Sequence, residues 1–129
     1  FIADGYHIPY YTLRAVIKAR GIDRSILTSD LAHLSGMPDG EYRKYERTVV
    51  LKDGGLWVKG EGTDLLSGAV KTLEQDCEYL AARSGFSIEE ALVMASLNPA
   101  RFFGIEHQMD LYPGRNPPLV VFSWRNNKL

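Results

Sequence analysis

Two apolar segments of the chain end in residue types that could carry hydrolytic chemistry. Phe1–Ala3 runs into Asp4-Gly5-Tyr6-His7, and Ser25–Thr28 runs into Ser29 and Asp30. In α/β folds with parallel strands, reactive groups lie just past the carboxyl ends of the strands, where the loops converge. We therefore expect His7 and Asp30 to project into one cleft.

An aspartate at such a strand end suits general acid–base catalysis. Beside a metal, it would act as the general base on the bound water and then as the acid toward the leaving group. Each residue also has a simpler interpretation. His7 could be a surface or packing histidine, and Asp30 could be a loop carboxylate that caps a turn.

The chain offers few metal ligands. Its histidines are His7, His33 and His107, its one cysteine is Cys77, and the patterns HxH, HExxH and CxxC do not occur. Hydrolytic zinc or iron sites need three or four ligating side chains. His33 could approach the cleft, but the favoured interpretation is an exposed loop residue, and His107 is expected to face solvent, so we predict no metal ligand in this chain.

A run of small and polar residues, Gly62 to Gly68, precedes a predicted long helix. Free backbone N–H groups at a helix start can hold a carbonyl or an anion. The alternative is ordinary helix capping by Asp64, with Gly68 permitting close packing. Both interpretations stay open at this point.

Composition excludes several classes of protein. The 129 residues are 45% hydrophobic and 24% charged, with 15 basic against 16 acidic residues. Such a chain is neither disordered nor equipped with the basic excess of a nucleic-acid-binding domain. It has no apolar run of about 18 residues and no signal-peptide profile. We therefore expect no nucleic-acid partner, no membrane partner and a cytoplasmic location.

The elements that must position these residues alternate between strands and helices. A helix from Pro9 to Gly21 joins the two short apolar segments into a βαβ unit with a parallel sheet. A loop is predicted from His33 to Tyr42. Thr48–Leu51 and Leu56–Val58 then form a hairpin around an Asp-Gly turn.

The second half of the chain is predicted to be helical. A long helix begins at Asp64, with one apolar stripe (Leu66, Ala69, Val70, Leu73, Cys77, Leu80 and Ala81). Ser87 and Glu90 form a capping box for a helix that buries Ile88, Ala91, Leu92 and Ala95. A short helix follows from Asn98 to Gly104, and Leu119–Phe122 is a final strand. The chain begins in one strand-like run and ends just after another, so we expect it to be a piece of a larger protein.

Six segments in this order resemble the C-terminal part of N-acetylglucosamine-6-phosphate deacetylases, which are metal-dependent TIM-barrel hydrolases of the amidohydrolase superfamily. The segments are IADGYHI (2–8), LTSD (27–30), GMPDGEY (36–42), LSG (66–68), SIEEA (87–91) and NPAR (98–101). The resemblance covers nearly the whole chain.

The resemblance implies an α/β fold: the last two βα units of a partial TIM barrel, a helical segment and one strand of a small β-sandwich domain. The seventh barrel strand would be Phe1 to Asp4 and the eighth Ser25 to Ser29. Residues 1–104 would form the C-terminal part of the barrel, and residues 105–129 would return to the β-sandwich domain.

The resemblance also implies site residues. Asp30 matches the catalytic aspartate of amide hydrolysis, His7 matches a histidine that contacts the sugar, and Leu66, Ser67 and Gly68 match a substrate-contacting stretch of backbone. The family's divalent metal, zinc or iron, is held by a Glu and two His from earlier strands, outside this chain. The small-molecule partner would be an amino sugar.

The chain departs from the family pattern at three places, of which the first two lie at the substrate end and the third bears only on the packing of the tail. Ser29-Asp30-Leu31 replaces the usual Thr-Asp-Ala, Ala69-Val70-Lys71 replaces a Ser/Thr-rich stretch, and Pro117-Pro118-Leu119 replaces Ala-Asp-Leu. Another acylated amine is therefore an alternative substrate. A non-catalytic structural or oligomerising fragment, or a degenerate paralogue, is the competing interpretation. We expect the isolated chain to be inactive, because Asp30 and His7 alone cannot hold a catalytic metal. We also expect it to form a homo-oligomer, because two strands leave open edges.

Overall fold

A computed structural model describes residues 1–60, 65–126 and 128 of the chain. The α-helices are α1 (Tyr10–Arg20), α2 (Leu73–Arg83), α3 (Ile88–Leu92) and α4 (Asn98–Phe102), and the strands are β1 (Gly40–Lys44), β2 (Arg47–Lys52) and β3 (Gly55–Val58). Short 3₁₀ turns span Ile22–Arg24 and Glu106–Met109, and a π-helical turn, Val93–Leu97, joins α3 to α4.

The two segments predicted as parallel barrel strands do not form regular strands. They are joined by two backbone hydrogen bonds, from the Phe1 nitrogen to the Ile26 carbonyl at 2.7 Å and from the Thr28 amide to the Phe1 carbonyl at 2.9 Å. This is the slanted pattern of a parallel pair. A longer ladder needs further strands on each side, and the described residues supply none there.

Helix α1 matches its prediction. It begins after Pro9, whose fixed φ suits a helix start, and it ends at Gly21, where a φ of 93° stops the helix. The Gly21 amide donates to the Ile17 carbonyl, and Leu13 and Ile17 are the buried residues of the helix. The connection between the two apolar segments is therefore helical, as expected.

The hairpin around Asp53 and Gly54 is confirmed, but the sheet has one more strand than predicted. Asp53 and Gly54 both have positive φ, 52° and 78°, as a tight hairpin turn requires. The sheet is antiparallel in the order β1-β2-β3. The loop predicted from His33 to Tyr42 overlaps the start of β1, whose polar composition hides its strand character.

The long helix predicted from Asp64 is wrong at its start. Helix α2 begins at Leu73, after a capping box formed by Thr72 and Gln75. The preceding stretch is extended: Leu66 pairs antiparallel with Trp57, and Ala69 pairs in parallel with Leu31. The predicted N-cap Asp64 lies outside the described residues.

The capping box at Ser87 is confirmed by two reciprocal hydrogen bonds with Glu90. Of the residues predicted to be buried by this helix, Ile88 and Ala91 are buried, while Leu92 and Ala95 are only half-buried. The helical path continues through the π-helical turn into α4, and Gly104, with a φ of 69°, follows its end. The capping signals therefore located both ends of this region.

Two hydrophobic clusters form the core. The larger lies between α1, α2 and α3 and includes Ala3, Leu13, Leu27, Leu80 and Met94. The smaller lies beneath the sheet (Leu34, Val49, Leu51 and Leu56). Through Ala3 and Leu27, the first two apolar segments therefore pack against helices of the same chain.

The predicted strand Leu119–Phe122 is not formed. These residues are exposed, with Val121 96% accessible. A strand needs a partner with free backbone groups, and no described segment pairs with this one. Within the part of the chain that the structure describes, no helix is both long and apolar enough to cross a membrane.

Candidate active site

One carboxylate organises the turn that follows the first apolar segment. Asp4 is 2% exposed, and its Oδ1 accepts hydrogen bonds from the backbone amides of Tyr6 and His7, each at 2.9 Å. Its Oδ2 lies 2.8 Å from His7 Nδ1. Aspartate commonly stabilises a turn by accepting from amides two or three residues ahead. Asp4 therefore holds both the backbone and the imidazole of His7.

The charge of Asp4 determines which His7 nitrogen carries a proton. Burial alone would raise the pKa of Asp4, but the hydrogen bonds from His7 and Tyr6 outweigh it, and the pKa lies below its ordinary value. An ionised carboxylate can only accept, so Nδ1 must donate. The His7 Nε2 is then the nitrogen left to act on a ligand, and the side chain is 23% exposed.

Aromatic packing connects this turn to the hairpin. The Tyr6 hydroxyl donates to the Asp53 carbonyl, and the Tyr6 ring packs edge-on against Trp57 with centroids 5.6 Å apart. Gly5 has a φ of 83°, and a Cβ there would lie 2.7 Å from the Tyr79 ring. The Gly in Asp4-Gly5-Tyr6-His7 is therefore required both by conformation and by space.

A second buried carboxyl group lies on α2. Asp76 is 0% exposed, and neither of its oxygens has a hydrogen-bond partner of good geometry among the described residues. Burial, and then the charge of Asp4, raise its pKa to about 7. Sequence patterns alone gave only a weak indication of Asp76. Its signal was a position beside Cys77, on the apolar stripe that contains Leu73 and Leu80.

The structure does not join Asp30 to His7. Asp30 is exposed with a φ of 48°, and no hydrogen bond or ion pair connects the two side chains in the described part of the chain. Instead, the parallel pairing of Leu31 with Ala69 sets Asp30 in register beside Gly68. The Ala32 amide also donates to the Ala69 carbonyl at 2.8 Å. Asp30 thus lies beside the predicted substrate-contacting stretch.

That stretch, Leu66 to Gly68, is held from both sides. The Ser67 amide donates to the Leu56 carbonyl at 2.8 Å, and the Lys44 ammonium donates to the Ser67 carbonyl. Gly68 has a φ of 116°, and a Cβ there would lie 3.4 Å from that of Ala32. Because of this φ, the backbone at Gly68 is not helical. The absence of a side chain lets it lie close to the segment that bears Asp30.

An open groove of about 750 Å³ borders the same stretch. Its described lining is Lys44, Tyr45, Glu46, Arg47, Val58, Leu65, Leu66 and Ser67. Neither His7 nor Asp30 belongs to this lining. The strand β1 that supplies Lys44 was missing from the sequence-based prediction, so this side of the site could not have been anticipated.

The described residues do not fit a complete metal centre. Within residues 1–60, 65–126 and 128, no three His, Cys, Asp or Glu side chains are grouped so that they could hold an ion. His33 and His107 are both exposed. Any metal would need ligands from outside the described residues.

The chain is similar to several sugar-phosphate deacetylases. It is 32% identical over 123 residues to N-acetylglucosamine-6-phosphate deacetylase of Vibrio furnissii, covering 95% of this chain and 30% of that protein. It is 28% identical over 123 residues to N-acetylgalactosamine-6-phosphate deacetylase of Escherichia coli O157:H7, covering 95% of this chain and 32% of that protein. No family model matches.

The fold is similar to a solved structure of the same kind. The N-acetyl-D-glucosamine-6-phosphate deacetylase of Mycobacterium smegmatis, in a mutant form bound to N-acetyl-D-glucosamine-6-phosphate, superposes with a TM-score of 0.70 at 29% identity. The match covers 81% of this chain and 28% of the other. The chain thus spans about 30% of the length of the curated relatives that it matches first.

Proposed function

We propose, from the premise that this chain corresponds to part of an N-acetylglucosamine-6-phosphate deacetylase-like protein, that the whole protein hydrolyses the N-acetyl amide of an amino-sugar phosphate. The observation that carries the proposal is the coincidence of two facts. The similarity spans 95% of this chain, and the Asp4–His7 turn within it is a built site whose histidine is oriented by a buried carboxylate.

Asp30 is the proposed acid–base residue. Hydrolysis of an amide requires a base that removes a proton from the attacking water and an acid that protonates the departing amine. One carboxylate can do both in turn. The exposure of Asp30 and its place beside Gly68 support this role, because a substrate held by the backbone of Leu66 to Gly68 would lie next to the Asp30 carboxylate.

His7 is the proposed substrate-orienting residue. Its Nδ1 is engaged by Asp4, so Nε2 has a defined direction and can hydrogen-bond to a sugar hydroxyl. A divalent metal, zinc or iron, would supply polarisation of the amide carbonyl when bound. Its ligands are expected from parts of the protein outside this chain.

The larger architecture is also part of the proposal. Residues 1–104 would belong to a TIM-barrel hydrolase domain, as its last two βα units, and residues 105–129 would return to a small β-sandwich domain. The exposed apolar residues Leu119, Val120 and Val121 support a role for this tail in contact with another surface. Homo-oligomerisation and a cytoplasmic location complete the proposal.

The deciding experiment is an acetate-release assay on the full-length protein encoded by the parent reading frame. N-acetylglucosamine-6-phosphate, N-acetylgalactosamine-6-phosphate and unphosphorylated N-acetylglucosamine are compared at equal concentrations. We expect turnover of a phosphorylated substrate and its loss in Asp30→Asn at unchanged metal content. Absence of acetate release from all three substrates by the metal-loaded protein would contradict the proposal.

The alternative is a structural or oligomerising fragment, or a degenerate paralogue, without catalysis. The 129-residue chain assayed alone with added zinc is expected to be inactive, because its described residues lack a metal centre. A parent protein that carries no metal-binding residues upstream would favour the alternative. Metal-stimulated turnover by the 129-residue chain would contradict the proposal that the metal ligands lie outside this chain.

A further inference from the structure

Lys71 occupies an unusual position for a lysine between an extended stretch and a helix. It directly precedes Thr72, the N-cap of α2, and it is half-buried. Its ammonium donates to the Asp4 carbonyl at 2.7 Å. The same nitrogen lies 5.0 Å from the centroid of the Tyr6 ring and 5.3 Å from that of Tyr79. A backbone oxygen and two aromatic rings thus surround the charge.

Each of these contacts favours a fixed ammonium. Aromatic faces attract cations, most strongly where water is partly excluded. A charge-assisted hydrogen bond to a carbonyl is shorter and stronger than a neutral one. Lysine usually keeps its charged end in water. The contacts of Lys71 therefore indicate a role that the exposed lysines of this chain do not share.

The partners of Lys71 belong to separate segments of the chain. Asp4 and Tyr6 belong to the turn after the first apolar segment, and Tyr79 lies on α2. The hairpin is adjacent as well, because a Cβ at Gly54 would lie 3.6 Å from the Lys71 Cε. Loss of the ammonium would remove the hydrogen bond that fixes the Asp4 carbonyl, while Tyr6 would still contact the hairpin.

We infer that Lys71 is a positioning residue for His7, fixing the backbone of the turn at the Asp4 carbonyl while the Asp4 carboxylate fixes the imidazole. The carboxylate and the backbone carbonyl of Asp4 have complementary roles in the turn. The side chain orients His7 relative to the backbone, and Lys71 locates that backbone relative to the sheet and α2. The inference rests on the proposed function, in which His7 contacts the substrate.

The test compares Lys71→Met, Lys71→Arg and Lys18→Met in the full-length, metal-loaded protein. Met retains the aliphatic stem without the charge, whereas Arg can still donate and stack on the rings. Lys18 is an exposed residue of α1 and serves as the matched control. The readouts are kcat and KM for N-acetylglucosamine-6-phosphate and the Nδ1–H proton resonance of ¹⁵N-labelled His7.

We expect Lys71→Met to raise KM about tenfold with a smaller change in kcat, as for a lost hydrogen bond to the substrate. The His7 Nδ1–H resonance should broaden or vanish by faster exchange. Lys71→Arg should restore both readouts to within about threefold of the wild type. Lys18→Met should leave both unchanged. Wild-type KM together with a sharp Nδ1–H resonance in Lys71→Met would overturn the inference.

Two further controls keep the result decisive. If Lys71→Met does not fold, as judged by its melting curve, Lys71→Leu, which also lacks a hydrogen-bond donor, replaces it and must show the same two changes. If the wild-type protein hydrolyses no N-acetylated sugar phosphate, the proposed function fails. The resonance of His7 in the Met and Arg variants then still decides whether Lys71 positions the turn.

Discussion

Asp4 and Asp30 both follow short apolar segments, yet the structure uses them in opposite ways. Asp4 is buried and accepts three hydrogen bonds, two from backbone amides and one from His7. Asp30 is exposed, and no described residue donates to its carboxylate. The two carboxylates differ in what surrounds them rather than in chemistry.

This difference indicates which of them can react. The hydrogen bonds that depress the pKa of Asp4 also make it a weaker base and occupy the oxygens that would accept a proton. No described residue donates a hydrogen bond to the Asp30 carboxylate, so its oxygens are not occupied in this way. Under the proposed function, the residue that orients His7 is therefore separate from the residue that would transfer protons, and each role can be tested by its own substitution.

The largest expected effect is that of Asp30→Asn. In the full-length protein we expect turnover to fall by about 10²–10⁴-fold, the contribution of a positioned acid–base group. Folding and metal content should change little, because Asp30 is exposed and no described residue depends on it. Steady-state kinetics with metal analysis checks this, and near-normal deacetylation would remove Asp30 from the mechanism.

Asp4→Ala should act on stability instead. The amides of Tyr6 and His7 would lose their acceptor in a half-buried turn, at a cost of about 2 kcal/mol in the free energy of unfolding. Asp4→Asn is the matched control, since its Oδ1 can still accept from the amides while its Nδ2 cannot accept from His7. Denaturant unfolding that shows equal stability for wild type and Asp4→Ala would refute the structural role.

Asp76 makes the stability of the protein depend on pH. Its folded-state pKa of about 7 lies above the ordinary value of 3.8, so between these values the unfolded state binds fewer protons than the native state. Stability from this group is complete below about pH 4 and is lost as the pH rises toward 7, by about 1.4 kcal/mol per pH unit.

Asp76→Asn should remove that slope, because the amide does not titrate. Urea unfolding at pH 5 and pH 7 compares the two proteins, and we expect the wild type to lose about 2 kcal/mol more than the variant over this interval. The Asp4 carboxylate contributes in the opposite direction, since its lowered pKa means that its stabilisation is lost as the solution becomes acidic. Identical pH dependence in both proteins would mean that Asp76 is ionised in the native state.

His7→Ala has the smallest expected effect. We expect KM to rise about tenfold and kcat to fall modestly, as for the loss of one hydrogen bond to the substrate. Metal occupancy should be unchanged. If the variant loses stoichiometric metal, His7 is a metal ligand, and its proposed role in orienting the substrate is wrong.

Much of the local structure was predictable. The ends of α1 follow from Pro9 and Gly21, the hairpin turn from Asp53 and Gly54, and the start of α3 from the Ser87 capping box. Each of these signals acts within about four residues. The same local reasoning found that His7 and Asp30 follow apolar segments.

The errors came from contacts between distant residues. The apolar spacing from Leu66 to Leu73 fits a helix, but Gly68 and the pairing of Leu66 with Trp57 make this stretch extended. Strand β1 is polar and exists because β2 pairs with it. Pairing energy depends on the partner, which a periodicity count does not include.

By itself, the amino-acid sequence determined the ends of α1, the start of α3, the tight turn at Asp53-Gly54 and the similarity to sugar-phosphate deacetylases. Only the tertiary structure decided that the Lys71 ammonium, 67 residues along the chain, donates to the Asp4 carbonyl and that Asp76 is buried. The physical reason is range. Caps and turns are satisfied by neighbours in the chain, whereas burial and ionisation depend on groups brought close by folding.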